Sequence, residues 1–152
     1  MNIINLDKEK EIAIKAAKLA GKLLKEDKNI LNLKINSNPR DTKLKADIKS
    51  EKLILDILNS ESSYPVLAEE TGKTSDDLGD IFWVVDPLDG TANYNRNIPI
   101  CCVSIGLVKN MKPLIGVIFD FNNDDIFVGD NVNNLARLNN KDIKVSDIQN
   151  KT

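Results

Sequence analysis

The chain has 152 residues, with 21 Lys and Arg against 23 Asp and Glu for a net charge of −2, and it contains no histidine. That size fits one domain, residues 1–152, able to bury about two thirds of its unfolded surface. The near balance of charge gives no electrostatic case for nucleic-acid binding, and the missing histidine excludes phosphohistidine and Ser-His-Asp chemistry. Met1 to Asp7 lacks the basic start and apolar block of a secretory signal, and no apolar run approaches the length of a membrane span. No Gly-x-x-x-x-Gly-Lys loop argues for an ATP-driven machine. A cytoplasmic protein without membrane or nucleic-acid partners is therefore expected. Cys101 and Cys102 are adjacent in an apolar run, which predicts reduced core residues rather than a disulfide.

In chain order, Ile12, Ala16, Leu19 and Leu23 fall at helical spacing, with Glu11, Lys15, Lys18 and Lys22 outside the stripe. This predicts an amphipathic helix from about Asp7 to Lys25. Pro39 and Arg40-Asp41 interrupt the next region, and a second helix is expected over Asp47 to Leu58 with Ile54, Ile57 and Leu58 facing inward. Short strands follow at Val66 to Ala68, Ile81 to Val85, Cys102 to Val108, Leu114 to Phe121 and Asp125 to Val128, with a polar loop from Thr71 to Asp80. Met111-Lys112-Pro113 and Asn122-Asn123-Asp124 separate the last three strands at hairpin length, so these are expected to pair antiparallel. The fold class is α+β, two N-terminal helices packed on a mostly antiparallel β-sheet. Trp83 reads as a core anchor, and Gly106 and Gly116 inside strands read as marks of a bulge or close packing.

Chemistry concentrates around Ile81-Phe82-Trp83-Val84-Val85-Asp86-Pro87-Leu88-Asp89-Gly90-Thr91-Ala92-Asn93-Tyr94. The apolar run reads as a strand covered on both faces, so Asp86 emerges on a rigid support and Pro87 forces the chain to turn. Asp86 and Asp89 are placed to converge on one hard cation, with the Leu88 carbonyl as a third oxygen. Gly90 permits close backbone approach to a ligand, and Thr91 offers a hydroxyl beside it. Upstream, Tyr64-Pro65-Val66-Leu67-Ala68-Glu69-Glu70 is a second short strand ending in acids, which brings Glu69 toward Asp86 and Asp89. Three crowded carboxylates imply a divalent metal, and oxygen donors without histidine favour magnesium or manganese. The plainer readings are a turn for Asp-Pro-Leu-Asp-Gly, a solvated loop for Glu69-Glu70 and a helix N-cap for Asp47.

Taken together, Leu67 to Glu70, Trp83 to Tyr94, Pro99 and Val103-Ser104-Ile105-Gly106-Leu107 closely resemble the inositol monophosphatase family. Its superfamily also includes bisphosphate nucleotidases and fructose-1,6-bisphosphatases, magnesium phosphatases that are lithium-sensitive or related to such enzymes. Asn93-Tyr94 is similar to the inositol monophosphatase branch, whereas Pro65 to Glu70 is more like the nucleotidases. The resemblance implies that Glu69, Asp86, Asp89 and the Leu88 carbonyl are metal ligands and that Gly90 and Thr91 hold phosphate through backbone amides. It also implies that Asp47 and Thr91 orient and activate a water held by the metal, so that a small phosphorylated metabolite is hydrolysed.

Family members are usually close to twice as long, so the resemblance covers an N-terminal half and implies that the C-terminal domain, with one further aspartate ligand and most substrate contacts, is absent. At Gly129 to Ala136 the family's Gly-x-Gly-Ala turn before an Asn-Gly is also altered, since only Ala136 and Asn139 fit and Leu135 and Asn140 stand where glycines are expected, which predicts a looser loop or a decayed turn. Three readings stay open: a magnesium phosphatase active alone or as a homodimer, an incomplete half that needs a separate chain, or a non-catalytic metal- or anion-binding module. A docking surface is expected as an apolar patch around Asp125 to Asn140.

Overall fold

The structure is a computed structural model that describes residues 4–32, 34–37 and 42–146. Pro39, Arg40 and Asp41, expected to interrupt the chain, lie outside the described residues.

Helix α1 (Leu6–Glu26) starts where the Asn5 side chain accepts the Lys8 amide at 3.1 Å, satisfying one of the donors that a helix start leaves unpaired. Its inward stripe differs from the predicted one. Ile12 and Ala16 are buried, but so are Ala13, Ala17, Ala20, Gly21 and Leu24, while Leu19 is 41% exposed. The reason is distance: a small-residue face lets the helix approach closely, and a Cβ at Gly21 would stand 2.5 Å from the Phe119 ring. Bulk was the wrong guide to the contact face here. Helix α2 (Lys28–Leu31) and the strands β1 (Lys34–Ser37) and β2 (Thr42–Leu44), an antiparallel pair, follow. Helix α3 (Lys45–Glu61) buries Ile54, Ile57 and Leu58 as expected.

The main sheet comprises β3 (Val66–Ala68), β4 (Gly72–Lys73), β5 (Ile81–Asp89), β6 (Cys102–Lys109), β7 (Lys112–Asp120), β8 (Asp125–Asp130), β9 (Leu135–Leu138) and β10 (Lys141–Asp142). Their order is β10-β9-β8-β7-β6-β5-β3-β4, antiparallel throughout except for β3 beside β5. The short helix α4 (Thr91–Asn95) joins β5 to β6. Trp83, Val85, Val103, Ile105, Leu107, Val117 and Phe119 share one core with the buried faces of α1 and α3. Trp83 is fully buried, and its indole N–H donates to Ser62 Oγ at 3.0 Å, an anchor with its polar handle satisfied. The α+β class predicted from the sequence is the fold observed.

Several local expectations change. Strand β5 is not covered on both faces, since Val84 is 39% exposed on the side away from the helices. It also does not end at Pro87. The proline cannot donate to the ladder, so the register slips between Asp86 and Asp89, and pairing resumes at Asp89 with Cys102. Gly106, Gly116 and Gly129 form one row across β6, β7 and β8, and at Gly116 an added Cβ would meet nothing within 4 Å. That glycine therefore marks neither a bulge nor close packing. The polar loop Thr71 to Asp80 contributes β4. The stretch Gly129 to Ala136, expected as a looser loop, is the ordered β8–β9 hairpin with Leu135 as the first residue of β9, and Asn139 and Asn140, at φ 47° and 66°, make the β9–β10 turn. Asparagine tolerates this left-handed region, so it serves where the family pattern has glycine.

On the open side of the sheet, Ile118 and Phe127 are exposed, as are Val132 in the β8–β9 turn and Ile143 and Val145 after β10. Among the described residues no helix is long and apolar enough to cross a membrane.

Candidate active site

The candidate site is assembled on the first turns of α3. Asp47 is the third residue of that helix, and its Oδ2 accepts the Leu44 amide at 2.7 Å. It thus reaches back to the helix start instead of occupying the N-cap position itself. Its other oxygen, Oδ1, accepts the Thr91 hydroxyl at 2.8 Å. Burial pushes the Asp47 carboxyl up, against the lowering effect of its bonds from Leu44 and Thr91. Both the capping and the site contact are therefore present in one side chain.

Three and four residues further along the same helix face stand Ser50 and Glu51, both buried. Ser50 Oγ donates to the Pro87 carbonyl at 2.8 Å. Glu51 accepts the Glu70 amide at 2.7 Å through one oxygen and the Thr71 amide at 2.9 Å through the other. Neither residue was singled out from the sequence. The available signal was polar side chains at +3 and +4 from Asp47, on the side of an amphipathic helix that Ile54, Ile57 and Leu58 also occupy.

Parallel pairing of β3 with β5 sets Ala68 opposite Val85, and the Glu69 amide continues it by donating to the Val85 carbonyl at 3.2 Å. Glu69 consequently meets Asp86 at the strand end. The Glu69 side chain keeps solvent access, yet desolvation on its inner side and the charge of Asp86, to which it is hydrogen-bonded, push its carboxyl up to about 7. Glu70 and Asp47 add to this. Asp86 is raised too, chiefly by burial, although its bonds from Glu69 and the Leu88 amide oppose the shift. Burial and the crowding of acids at the strand end thus raise both carboxyls.

Asp89, expected beside them, lies exposed beyond the register slip, and Cys102 Sγ stands 3.9 Å from its Oδ2. Its charge still reaches Asp86. Among the described residues no three His, Cys, Asp or Glu side chains stand close enough to grip one ion as they lie. The Leu88 carbonyl is 3.1 Å from Thr91 Oγ1, whose single proton also has Asp47 as an acceptor. Cys102 is half-buried at the site and not a core residue; burial and the charge of Asp89 push its thiol up to about 12. Cys101 is buried, and both cysteines are free.

Gly90 caps α4 at φ 91°, and a Cβ there would lie 2.7 Å from the Ile100 carbonyl oxygen. The first bond within α4 runs from the Tyr94 amide to the Gly90 carbonyl at 2.9 Å, so the amides ahead of it stand outside the helical ladder. Tyr94 holds this short helix in place. Its hydroxyl donates to the Leu24 carbonyl at 2.7 Å, and its ring meets Phe121 edge-on at 6.2 Å.

The donors at the strand ends are hard oxygens, and Glu69 and Asp86, both raised by burial and neighbouring acids, are carboxyls whose charge a divalent cation would neutralise. That chemistry fits magnesium or manganese. This fold is also that of the solved inositol monophosphatase from Anabaena. That structure superposes with a TM-score of 0.80 at 36% identity, over 95% of this chain and 52% of that one. The sequence pattern described as the inositol monophosphatase family matches residues 5–152, and the chain belongs to that family. Relatives include inositol monophosphatase 1 of Solanum lycopersicum, 34% identical over 139 residues (89% of this chain, 50% of the relative). Nus factor SuhB of Xylella fastidiosa is 37% identical over 138 residues (89% of this chain, 49% of the relative). The chain thus spans about half the length of the curated relatives it matches.

Proposed function

We propose that this chain carries the metal- and phosphate-handling part of a magnesium-dependent phosphatase that hydrolyses a small phosphate monoester, inositol-1-phosphate or a related sugar or nucleotide phosphate. The observation that carries this reading is the Asp47–Thr91 hydrogen bond of 2.8 Å set beside the Glu69–Asp86 pair. Family membership supports it.

In this reading Glu69, Asp86, the Leu88 carbonyl and Asp89 would hold magnesium, with manganese as a substitute. A bound divalent cation supplies charge neutralisation for the phosphoryl oxygens and lowers the pKa of water. Because Thr91 donates its proton to Asp47, the lone pairs of Thr91 Oγ1 are left to accept a hydrogen bond from a water and hold it in line. Gly90 and Thr91 present backbone amides to the phosphate, an interaction favoured because those amides have no helical acceptor. Catalysis of this kind needs oriented donors and neutralised charge, not a protein nucleophile. Lithium sensitivity and a cytoplasmic location belong to the same reading.

The matched half-length favours a second reading of the same site, in which residues outside the matched region complete the substrate walls and one metal ligand. A second polypeptide would then pack on the open sheet face that exposes Ile118 and Phe127, either another copy of this chain or one carrying the family's other half. The test is magnesium-dependent phosphate release from inositol-1-phosphate, fructose-1,6-bisphosphate and adenosine-3′,5′-bisphosphate, comparing the chain with Asp86→Asn. Turnover that needs magnesium and disappears in the variant supports an autonomous phosphatase. Absence of turnover on all three refutes autonomy and leaves the incomplete site, to be tested by adding the second chain.

A further inference from the structure

Glu51 is 1% exposed, belongs to a 17-residue helix and spends both carboxylate oxygens on the consecutive amides of Glu70 and Thr71. Burying a carboxylate is costly even when it is hydrogen-bonded. The segment it holds needs little such help for folding: the β3–β4 turn is short, Thr71 is exposed, and Gly72 at φ 76° supplies the bend. What lies immediately before the held amides is Glu69. The backbone of Glu69 is tied to β5 by its own amide on one side and by the Glu51 clamp on the other.

The opposing segment is referenced to the same helix. Ser50, adjacent to Glu51, holds the Pro87 carbonyl, and Asp47 holds Thr91. One rigid body therefore fixes Glu69 and Asp86 relative to each other, although they come from different strands.

We propose that Glu51 is a positioning residue for metal binding: it contacts no cation, but by clamping the Glu70 and Thr71 amides it holds Glu69 facing Asp86, where both would share one divalent cation. This rests on the metal reading of the site given above.

The experiment is a titration of Mn2+ against the full chain, with free Mn2+ read by electron paramagnetic resonance, for wild type, Glu51→Gln and Asp130→Asn. Glutamine keeps the volume and one good acceptor but loses the second. Asp130→Asn breaks a buried ion pair remote from the site, so it controls for general destabilisation. Glu51→Gln is expected to weaken Mn2+ binding about 10- to 100-fold, the usual effect of removing a partner behind a metal ligand, with Asp130→Asn within about twofold of wild type. Equal Mn2+ affinity in Glu51→Gln and wild type overturns the positioning role while leaving the metal site standing. No saturable Mn2+ binding by wild type overturns the metal reading itself and the inference with it. If Glu51→Gln does not fold, Thr71→Pro removes one clamped amide from the exposed turn without touching α3. Unchanged Mn2+ affinity there is equally fatal to the proposal.

Discussion

Replacing Gly90 by alanine tests whether the backbone approach beneath the site is as close as the structure places it. Gly90 sits at φ 91°, where a side chain costs about 1–2 kcal/mol. The added Cβ would stand 2.7 Å from the Ile100 carbonyl oxygen and 3.1 Å from Cys101 Cβ, so the β5–α4 and β6 segments must part. Overpacking of that kind costs about 1–3 kcal/mol, and the reduced freedom of the unfolded chain returns only about 0.4–1 kcal/mol. The expected net loss is roughly 2–4 kcal/mol, or about 5–15 °C in Tm for a chain of this size. Gly116→Ala is the matched control. It makes the same chemical change within a strand where nothing lies within 4 Å, and relief of the glycine penalty should leave stability unchanged or raise it by about 0.5–1 kcal/mol. Urea unfolding of both variants, followed by tryptophan fluorescence from buried Trp83, reads the difference. If Gly90→Ala falls within about 0.5 kcal/mol of Gly116→Ala, the inferred contact and backbone strain are wrong.

Asp130 gives a pH prediction of definite sign. Burial disfavours its charge, but the bonds from Lys10 at 2.7 Å and from Asn133 outweigh that and bring its pKa down to about 2. Because the folded value lies below the unfolded 3.8, the pair stabilises above about pH 4 and its contribution of about 2 kcal/mol is lost as pH falls toward 2. Asp130→Asn should flatten that part of the stability profile, and an unchanged acid slope would contradict the pairing. Tyr94→Phe deprives the Leu24 carbonyl of its 2.7 Å hydroxyl donor in a buried setting, with an expected loss of about 1–3 kcal/mol in denaturant unfolding. A loss below about 0.5 kcal/mol would mean that the carbonyl is satisfied by another partner.

Much of this protein was legible in one dimension. The period of α3, the hairpin spacing of β6, β7 and β8, and the Asp-Pro-Leu-Asp-Gly-Thr run are local features, because helix period, strand alternation, turn chemistry and carboxylate spacing are written residue by residue. Local pattern also carried the family, which the match over residues 5–152 establishes. It failed where the deciding contact was distant in sequence. The alanine face of α1 became the contact face only because Phe119 and Phe121 lie beneath Gly21, about a hundred residues away in the chain. Likewise, Pro87 was expected to end a strand, but the ladder to β6 resumes beyond it through the pairing of Asp89 with Cys102.

The sequence by itself determined which side chains are candidates for the proposed chemistry: Asp47, Glu69, Asp86, Asp89 and Thr91 stand in it with their spacing. Only the tertiary structure decided how they meet. It put Thr91 on Asp47, matched Glu69 with Asp86 across a parallel strand pair, left Asp89 on the solvent side of a register slip, and made Ser50 and Glu51 the buried supports of both loops. The physical reason is that a hydrogen bond or a charge contact depends on separations of a few ångströms between residues 17 (Glu69 to Asp86) to 44 (Asp47 to Thr91) positions apart in the chain. Those separations are fixed by the packing of α3 against the sheet.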